Sequence, residues 1–290
     1  MVRKYKIPKG NGKYRFIMEP IGEYKTFLKA LNYELSKYIY KNNLFLDEQH
    51  GFILGRGVVT NAKMHIGYDY TMKIDIKNFF DSINLYMVKS AISEFNATSD
   101  FEYKKYINYC FYNKQLPQGF PTSPALSNLV SASIIRYIKA ELYEKGLEDY
   151  VLTNYADDFN ISWNGEYHKN KIIYDAVKDC IEGFGLELNK KKTKIKFGSS
   201  GYRIITGISV GSDHIRPTRK MKHNYKKALH LGLISKSTGI EEFMRLKEPK
   251  ARNLSQKFDV DYAFNLYEIA KERKKRKDLN EAKRLSAGSV

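Results

Sequence analysis

The 290-residue sequence has little cysteine, few acidic residues beside its basic ones, and no long apolar run. Its two cysteines, Cys110 and Cys180, are far apart, which excludes a disulfide framework and gives no zinc-ligand spacing. Six histidines, His50, His65, His168, His214, His223 and His230, form no H-E-x-x-H pair, so a zincin-type metalloprotease site is excluded. The N-terminus is basic without an apolar stretch behind it, and no segment is apolar enough to span a bilayer. The expectation is a cytoplasmic protein that is not bound to membrane. Internal repeats and low-complexity stretches are also missing.

What the chain does have is positive charge. Fifty Lys and Arg against 32 Asp and Glu give a formal charge of +18. Such a surface repels itself unless a polyanion neutralises it, and nucleic acid is the commonest candidate; a merely soluble basic protein is the plain alternative. Residues 215–290 carry 20 basic and 9 acidic side chains, so +11 of the excess lies in the last quarter. Within it, Lys271–Lys277 is a charge run whose simplest reading is a solvated helix face. Aromatics are plentiful, with 23 Tyr and 16 Phe. Tyr103-Lys104-Lys105-Tyr106 puts rings beside cations, as suits stacking on bases, although such tyrosines also serve core edges.

Hydrophobic periodicity predicts an α+β arrangement of a sheet backed by helices. Residues near 8–20 read as a Gly-punctuated hairpin. Tyr24, Phe27, Leu28, Leu31, Leu35, Tyr38 and Ile39 mark one face of a helix. Met72–Ile76 reads as a short strand running into Phe79-Phe80. A helix starts after Pro121, with Thr122 or Ser123 as cap and Pro124 in the first turn. Tyr150–Trp163 reads as strand, acidic turn, strand. A helix over about 168–183 and a Gly185-Leu186-Glu187-Leu188 strand follow. The remainder looks helical, with Phe258, Tyr262, Phe264, Leu266, Tyr267 and Ile269 as possible core.

Three carboxylates stand out. Asp157 and Asp158 sit adjacent at the tip of the 150–163 hairpin, where they repel each other unless a cation faces them; turn chemistry alone explains one Asp and often two. Asp75 interrupts a buried-looking strand, a costly place for a carboxylate without a metal or cation. Two strand ends that unite three carboxylates would make an oxygen site suited to Mg²⁺. Two such ions could activate an attacking hydroxyl and stabilise a leaving pyrophosphate. Between these elements, Leu116–Pro124 is a Gly-containing loop entering a helix. It could approach a nucleotide with its backbone, or be an ordinary junction.

In order along the chain come Asp75…Phe79-Phe80, Gln118-Gly119…Ser123-Pro124-Ala125, Tyr155-Ala156-Asp157-Asp158 and Gly185-Leu186-Glu187-Leu188-Asn189…Lys192-Thr193. Over residues 12–210 this series resembles the palm motifs of reverse transcriptases. Asn61-Ala62-Lys63-Met64-His65 matches the Asn-Ala-x-x-His element of bacterial retron enzymes. Ile205-Thr206-Gly207 resembles their Val-Thr-Gly element with Ile for Val.

The resemblance implies a right-hand polymerase with an antiparallel palm sheet. Fingers would occupy 1–70, palm 71–95, a connection 96–117, palm again 118–210, and a basic helical thumb 211–290. It implies that Asp75, Asp157 and Asp158, with the Ile76 carbonyl, hold two Mg²⁺ ions. Phe80, beside Phe79, matches a steric gate against a 2′-hydroxyl, and Gln118 and Gly119 would line the nucleotide pocket. Arg15, Arg56 and Lys192 are candidates for the triphosphate or pyrophosphate, where a guanidinium fork suits phosphate oxygens. Asn61, His65, Thr206, Gly207, Arg216, Arg219 and Lys220 are candidates for RNA recognition, His65 equally for a scaffold role.

The implied activity is RNA-directed DNA synthesis from dNTPs on a cognate structured noncoding RNA. Priming from an RNA 2′-hydroxyl would give a branched RNA–DNA product (msDNA), in anti-phage defence beside an effector protein. The alternatives are a defence-associated or intron-type reverse transcriptase primed differently, and an RNA-binding scaffold without synthesis.

Overall fold

A computed structural model describes residues 1–10, 12–94, 101–198, 201, 203–231 and 259–287, with side chains of the last helix to Leu279. Strands β1 (Val2–Gly10) and β2 (Lys13–Pro20) form an antiparallel hairpin that stands apart as a two-stranded sheet. Helix α1 (Glu23–Lys41) follows and buries Tyr24, Phe27, Leu28, Leu31, Leu35 and Ile39, the stripe that its 3.6-residue spacing predicts.

The central sheet has the order β4-β5-β3-β6, all antiparallel, built from β3 (Tyr70–Asp75), β4 (Tyr150–Tyr155), β5 (Asp158–Trp163) and β6 (Lys194–Phe197). Between β3 and β4 lie the short helix α3 (Phe79–Ser82), helix α4 (Leu85–Glu94), a 3-10 helix over Glu102–Cys110 and the long helix α5 (Ser123–Glu144). Helices α4, α5 and α6 (Lys169–Gly183) share one apolar core with the sheet, including Met72, Ile74, Phe159, Ile161 and Trp163. Helix α5 starts where Pro at the first turn predicts, but Thr122 makes no capping bond; Ser123 Oγ instead donates 2.6 Å to the Pro117 carbonyl.

A second, small apolar cluster joins helix α2 (Val58–Lys63) to the sheet β7 (Arg203–Ile205), β8 (Ile208–Val210), β9 (Ile215–Pro217), through Val59, Ala62, Ile205, Ile208 and Val210. The buried Arg203 fastens this unit to the central sheet. Its guanidinium donates to the carbonyls of Tyr68, His65 (3.1 Å) and Gly211 (3.2 Å) and to Thr71 Oγ1 (3.2 Å).

Several expectations need correction. Residues 185–188 form no strand: Leu188 makes one bridge to Ile76, and the fourth strand is β6, inside the lysine-rich stretch. The basic segment from 211 onward is divided in its described part. Residues 215–217 belong to the small sheet, and helix α7 (Arg219–His230) buries none of its residues. Helix α8 (Val260–Ala287) packs back on α1 through Val260, Ala263, Phe264 and Tyr267.

Tyr267 stacks on Tyr24 at 4.7 Å and Phe264 meets Phe27 at 5.0 Å between ring centres. Tyr262, Leu266 and Ile269, expected as core, are exposed; Phe258 lies outside the described residues. The Tyr103–Tyr106 cluster also turns inward: Tyr106 is buried against Phe27 and Phe264 and bonds Asp261, and Lys105 pairs with Asp261 at 3.1 Å. Tyr106 thus seats α8 and offers no base a stacking face, while Tyr103 is half-buried against Phe101 and Tyr106. Among the described residues no helix is long and apolar enough to cross a membrane.

Candidate active site

Asp75 closes β3 and Asp158 opens β5, and the two are direct cross-strand partners. Directly opposed residues of an antiparallel pair share a sheet face, so their carboxylates lie on one side. Asp157 sits in the preceding turn, where Ala156 adopts a left-handed φ of 56° and Ile76 N–H donates 3.1 Å to the Asp157 carbonyl.

The turn is braced from behind. His50 N–H donates 2.8 Å to the Asn154 carbonyl, Asn154 N–H donates 2.7 Å to that of Glu48, and Asn154 Nδ2 donates 2.8 Å to that of Ala156. Gly51 presses so close that a Cβ there would stand 2.8 Å from the Ala156 nitrogen. This brace was not read from the sequence, because its parts lie about a hundred residues apart.

Two lysines meet the acids. Lys73 Nζ lies 2.6 Å from Asp158 Oδ2, and Lys192 Nζ 3.0 Å from the nearly buried Asp75 Oδ2. Lys73 shares the face of Asp75 by the strand's two-residue period, a signal that was present in the sequence. Lys192 arrives because the 187–193 segment runs beside β3: Lys77 N–H donates to the Glu187 carbonyl, Asn189 N–H to that of Asp75, each at 2.8 Å. Asp157 has a raised pKa. Burial is the largest cause, followed by the Asp158 and Asp75 charges, against which its own backbone hydrogen bond and Lys192 act.

The donor set suits a hard divalent ion: three carboxylates at two strand ends with the Ile76 carbonyl beside them. Lys73 and Lys192 mark two places where positive charge already sits against these oxygens. Among the described residues no three His, Cys, Asp or Glu side chains are gathered in ligating geometry, and Asp75 and Asp158 are drawn to lysines instead.

A cleft of about 890 Å³ opens over Asp75 and Asp157, and Asp158 is not in its wall. Its walls include Lys9, Lys13 and Arg15 from the hairpin, Phe52, Asp75, Ile76, Phe79, Phe80, Gln118, Asp157 and Lys192. Phe79 is anchored in the core, whereas Phe80 is half-buried, 6.3 Å from Phe52 between ring centres. Asn78, at a left-handed φ of 49°, makes the bend that turns Phe80 toward the cleft.

Gly119 does not line the cleft. Its φ is 112°, and an added Cβ would lie 2.7 Å from the Met18 carbonyl oxygen, so it lets the hairpin close on the helix entry, where Met18 N–H donates 2.7 Å to the Gln118 carbonyl.

Arg56 is also elsewhere. Its guanidinium ties the carbonyls of Leu46, Asp47 and Gln49 at 2.6–3.1 Å and pairs with Asp47 at 2.8 Å, which folds its own loop. Lys9 and Lys13, not singled out from sequence, stand in the cleft instead.

The residues expected to read RNA divide. Asn61 and His65 are fully buried. His65 bridges β4 and β5 through Thr153 Oγ1 (2.7 Å) and Ser162 Oγ (2.8 Å), and burial pushes its pKa down to about 3. Asn61 Nδ2 lies 3.2 Å from Thr206 Oγ1, at the β7–β8 turn that Gly207 completes with φ 86°. The two sequence elements therefore hold one another as scaffold. Arg216, Arg219 and Lys220 are exposed on β9 and the start of α7.

Comparison with known proteins fits this geometry. Residues 7–217 match the family described as reverse transcriptase (RNA-dependent DNA polymerase). The chain is 31% identical over 247 residues to the retron Ec73 reverse transcriptase of Escherichia coli, covering 81% of this chain and 76% of that protein. It is 26% identical over 259 residues to the retron Mx162 reverse transcriptase of Myxococcus xanthus, covering 76% of this chain and 52% of that one.

Among solved structures, apo telomerase from Candida tropicalis superposes with a TM-score of 0.56 at 13% identity, over 74% of this chain and 47% of that one. Telomerase from Candida albicans in complex with the TWJ fragment of telomeric RNA gives 0.56 at 12%, over 74% and 45%. That likeness is one of fold, a right-hand polymerase.

Proposed function

This chain belongs to the reverse transcriptase family, the RNA-dependent DNA polymerases, and is of the retron type; on that premise we propose that it copies part of a cognate structured noncoding RNA into single-stranded DNA. The observation that carries the reading is that Asp75, paired with Asp158 across the β3–β5 ladder, lines together with Asp157 a cleft walled by Lys9, Lys13 and Arg15. Asp75, Asp157, Asp158 and the Ile76 carbonyl would hold two Mg²⁺ ions. The chemistry such ions supply when bound is activation of the attacking hydroxyl and neutralisation of the departing pyrophosphate.

The protein's own groups do the rest. Arg15, with Lys9 and Lys13, draws the triphosphate into the cleft, and its fork suits phosphate oxygens. Lys192 guards Asp75 and stands where the pyrophosphate charge would leave. The Phe80 ring occupies the space a 2′-hydroxyl would need, which selects deoxynucleotides, and Gln118 forms a wall of the nucleotide pocket. We assign fingers to 1–70 with the 96–117 connection, palm to 71–95 and 118–210, and thumb to the basic segment from 211. Arg216, Arg219 and Lys220 offer this segment's charge to RNA phosphates. Priming from an RNA 2′-hydroxyl, a branched msDNA product, cytoplasmic action and an anti-phage role beside an effector protein complete the proposal.

The test is the nucleic acid that co-purifies with the protein expressed from its native locus, compared with an Asp157→Asn/Asp158→Asn variant on a denaturing gel. A discrete DNase-sensitive species that shortens with RNase, in the wild type alone, is the expected result. RNA without DNA in both samples would favour a binding scaffold.

A further inference from the structure

The N-terminal hairpin is a ribbon with two faces, and only one of them belongs to the cleft. Alternate residues of a strand point to opposite sides. Lys13 and Arg15 of β2 line the cleft; Tyr14 and Phe16 therefore project from the other side, and neither reaches the cleft wall. They are 48% and 47% exposed, at the end of the ribbon beyond Met18, where the core stops.

From β1, Lys4 Nζ lies 4.0 Å from the centre of the Phe16 ring and Lys6 Nζ 3.8 Å from that of Tyr14. Among the described residues neither ammonium is paired with a carboxylate. The ribbon's only acid, Glu19, is held by Lys25 at 2.6 Å and by the Tyr5 hydroxyl at 2.8 Å.

Two half-exposed rings, roughly 7 Å apart along a strand, each beside an uncompensated ammonium, fit one class of ligand well. Bases stack on aromatic faces whatever their sequence, and phosphates take the cations. A duplex hides its base faces, and an acidic peptide leaves the rings without a partner.

We propose that Lys4, Lys6, Tyr14 and Phe16 form a second nucleic-acid site, on the outer face of the hairpin, that grips an unpaired stretch of RNA outside the polymerase cleft. The choice of RNA rests on the reverse-transcriptase reading above. The site adds length to the RNA footprint without touching the reacting atoms.

The experiment measures fluorescence anisotropy of full-length protein with a labelled oligouridylate and with an abasic strand of equal length. Wild type binds the oligouridylate more tightly. Tyr14→Ala/Phe16→Ala weakens that binding about tenfold or more and leaves the abasic strand unaffected, the loss expected of stacking. Lys4→Gln/Lys6→Gln lowers the slope of log affinity against log salt by about 1.4, the share of two single-strand phosphates.

Extension of a primer on a template with one unpaired templating base stays at the wild-type rate in both variants, which reports an intact fold and cleft. Wild-type affinity and salt slope in both variants would overturn the hairpin site alone. Equal weakening on the uridylate and abasic strands would overturn stacking. A wild type that neither extends primers nor binds RNA would remove the reverse-transcriptase reading and this site with it.

Discussion

Replacing Gly119 by alanine should separate the hairpin from the helix entry it closes upon. Gly119 has φ 112°, and a Cβ there would stand 2.7 Å from the Met18 carbonyl oxygen and 2.8 Å from Ile17 Cγ2. Side-chain rotation can relieve the second overlap. The first is with backbone, so β2 must retreat, and the 2.7 Å bond from Met18 N–H to the Gln118 carbonyl goes with it.

Dihedral strain at such a site costs about 1–3 kcal/mol, and the lost hydrogen bond about 1 kcal/mol. The sum of about 2–4 kcal/mol lowers Tm by roughly 4–8 °C in a chain of this size. Gly146→Ala is the control: φ is 72° with nothing within 4 Å, so strain alone costs about 1 kcal/mol, or roughly 2 °C. Circular-dichroism melts of both variants, with dNTP KM measured alongside, decide the matter. Because Arg15 rides on β2, Gly119→Ala also raises KM, and Gly146→Ala does not. Equal Tm shifts with unchanged KM in both would refute the argument.

Other consequences can be checked directly. Phe80→Ala should admit ribonucleotides, read as the ratio of kcat/KM for dNTP and NTP; unchanged discrimination would remove Phe80 as the gate. Arg15→Ala should raise dNTP KM about tenfold or more, the loss of a charge-assisted contact. Arg56→Ala should instead lower Tm and leave KM within about twofold, since Arg56 folds its own loop.

His65 sets a pH dependence. Its folded pKa of about 3 lies below the unfolded value of about 6.5. Its stabilising effect is thus whole above pH 6.5 and falls, by about 1.4 kcal/mol per pH unit, as pH drops toward 3. Burial also lowers the His50 pKa, to about 4, so both histidines contribute between pH 7 and pH 5. Urea midpoints should fall accordingly from pH 7 to pH 5, and His65→Gln should reduce the slope by its own share; an unchanged slope would refute the assignment.

Local pattern carried much of the fold. The stripe on α1, the Pro-started α5 and the β4–β5 hairpin with its acidic turn are each written within some twenty residues, and the structure has all three. What was hidden depends on distant partners. Asn61 looks like a polar recognition group until Thr206 is brought to it from 145 residues away, and the scaffold role open to His65 in the sequence gains its partners, Thr153 and Ser162, only in the fold.

Arg56 reads as a phosphate ligand because its three carbonyl acceptors leave no mark in sequence. On α8 the size of Tyr262 and Ile269 was misleading, while the spacing of Val260, Ala263, Phe264 and Tyr267 already described the face that docks on α1. The three acids were legible because adjacent and buried carboxylates are costly; of the lysines that meet them, Lys192 was singled out for the pyrophosphate, whereas Lys73, on the strand face of Asp75, was not.

The central claim, that Asp75, Asp157 and Asp158 direct RNA-templated DNA synthesis, is tested most directly with purified protein on a primed RNA template. Single-nucleotide extension is followed with and without Mg²⁺, beside filter binding of the same RNA. The account predicts Mg²⁺-dependent addition of a deoxynucleotide by the wild type, none by Asp157→Asn/Asp158→Asn, and RNA binding unchanged within about twofold because the basic surface remains. Extension by the double variant, or by wild type freed of divalent ions, would contradict it.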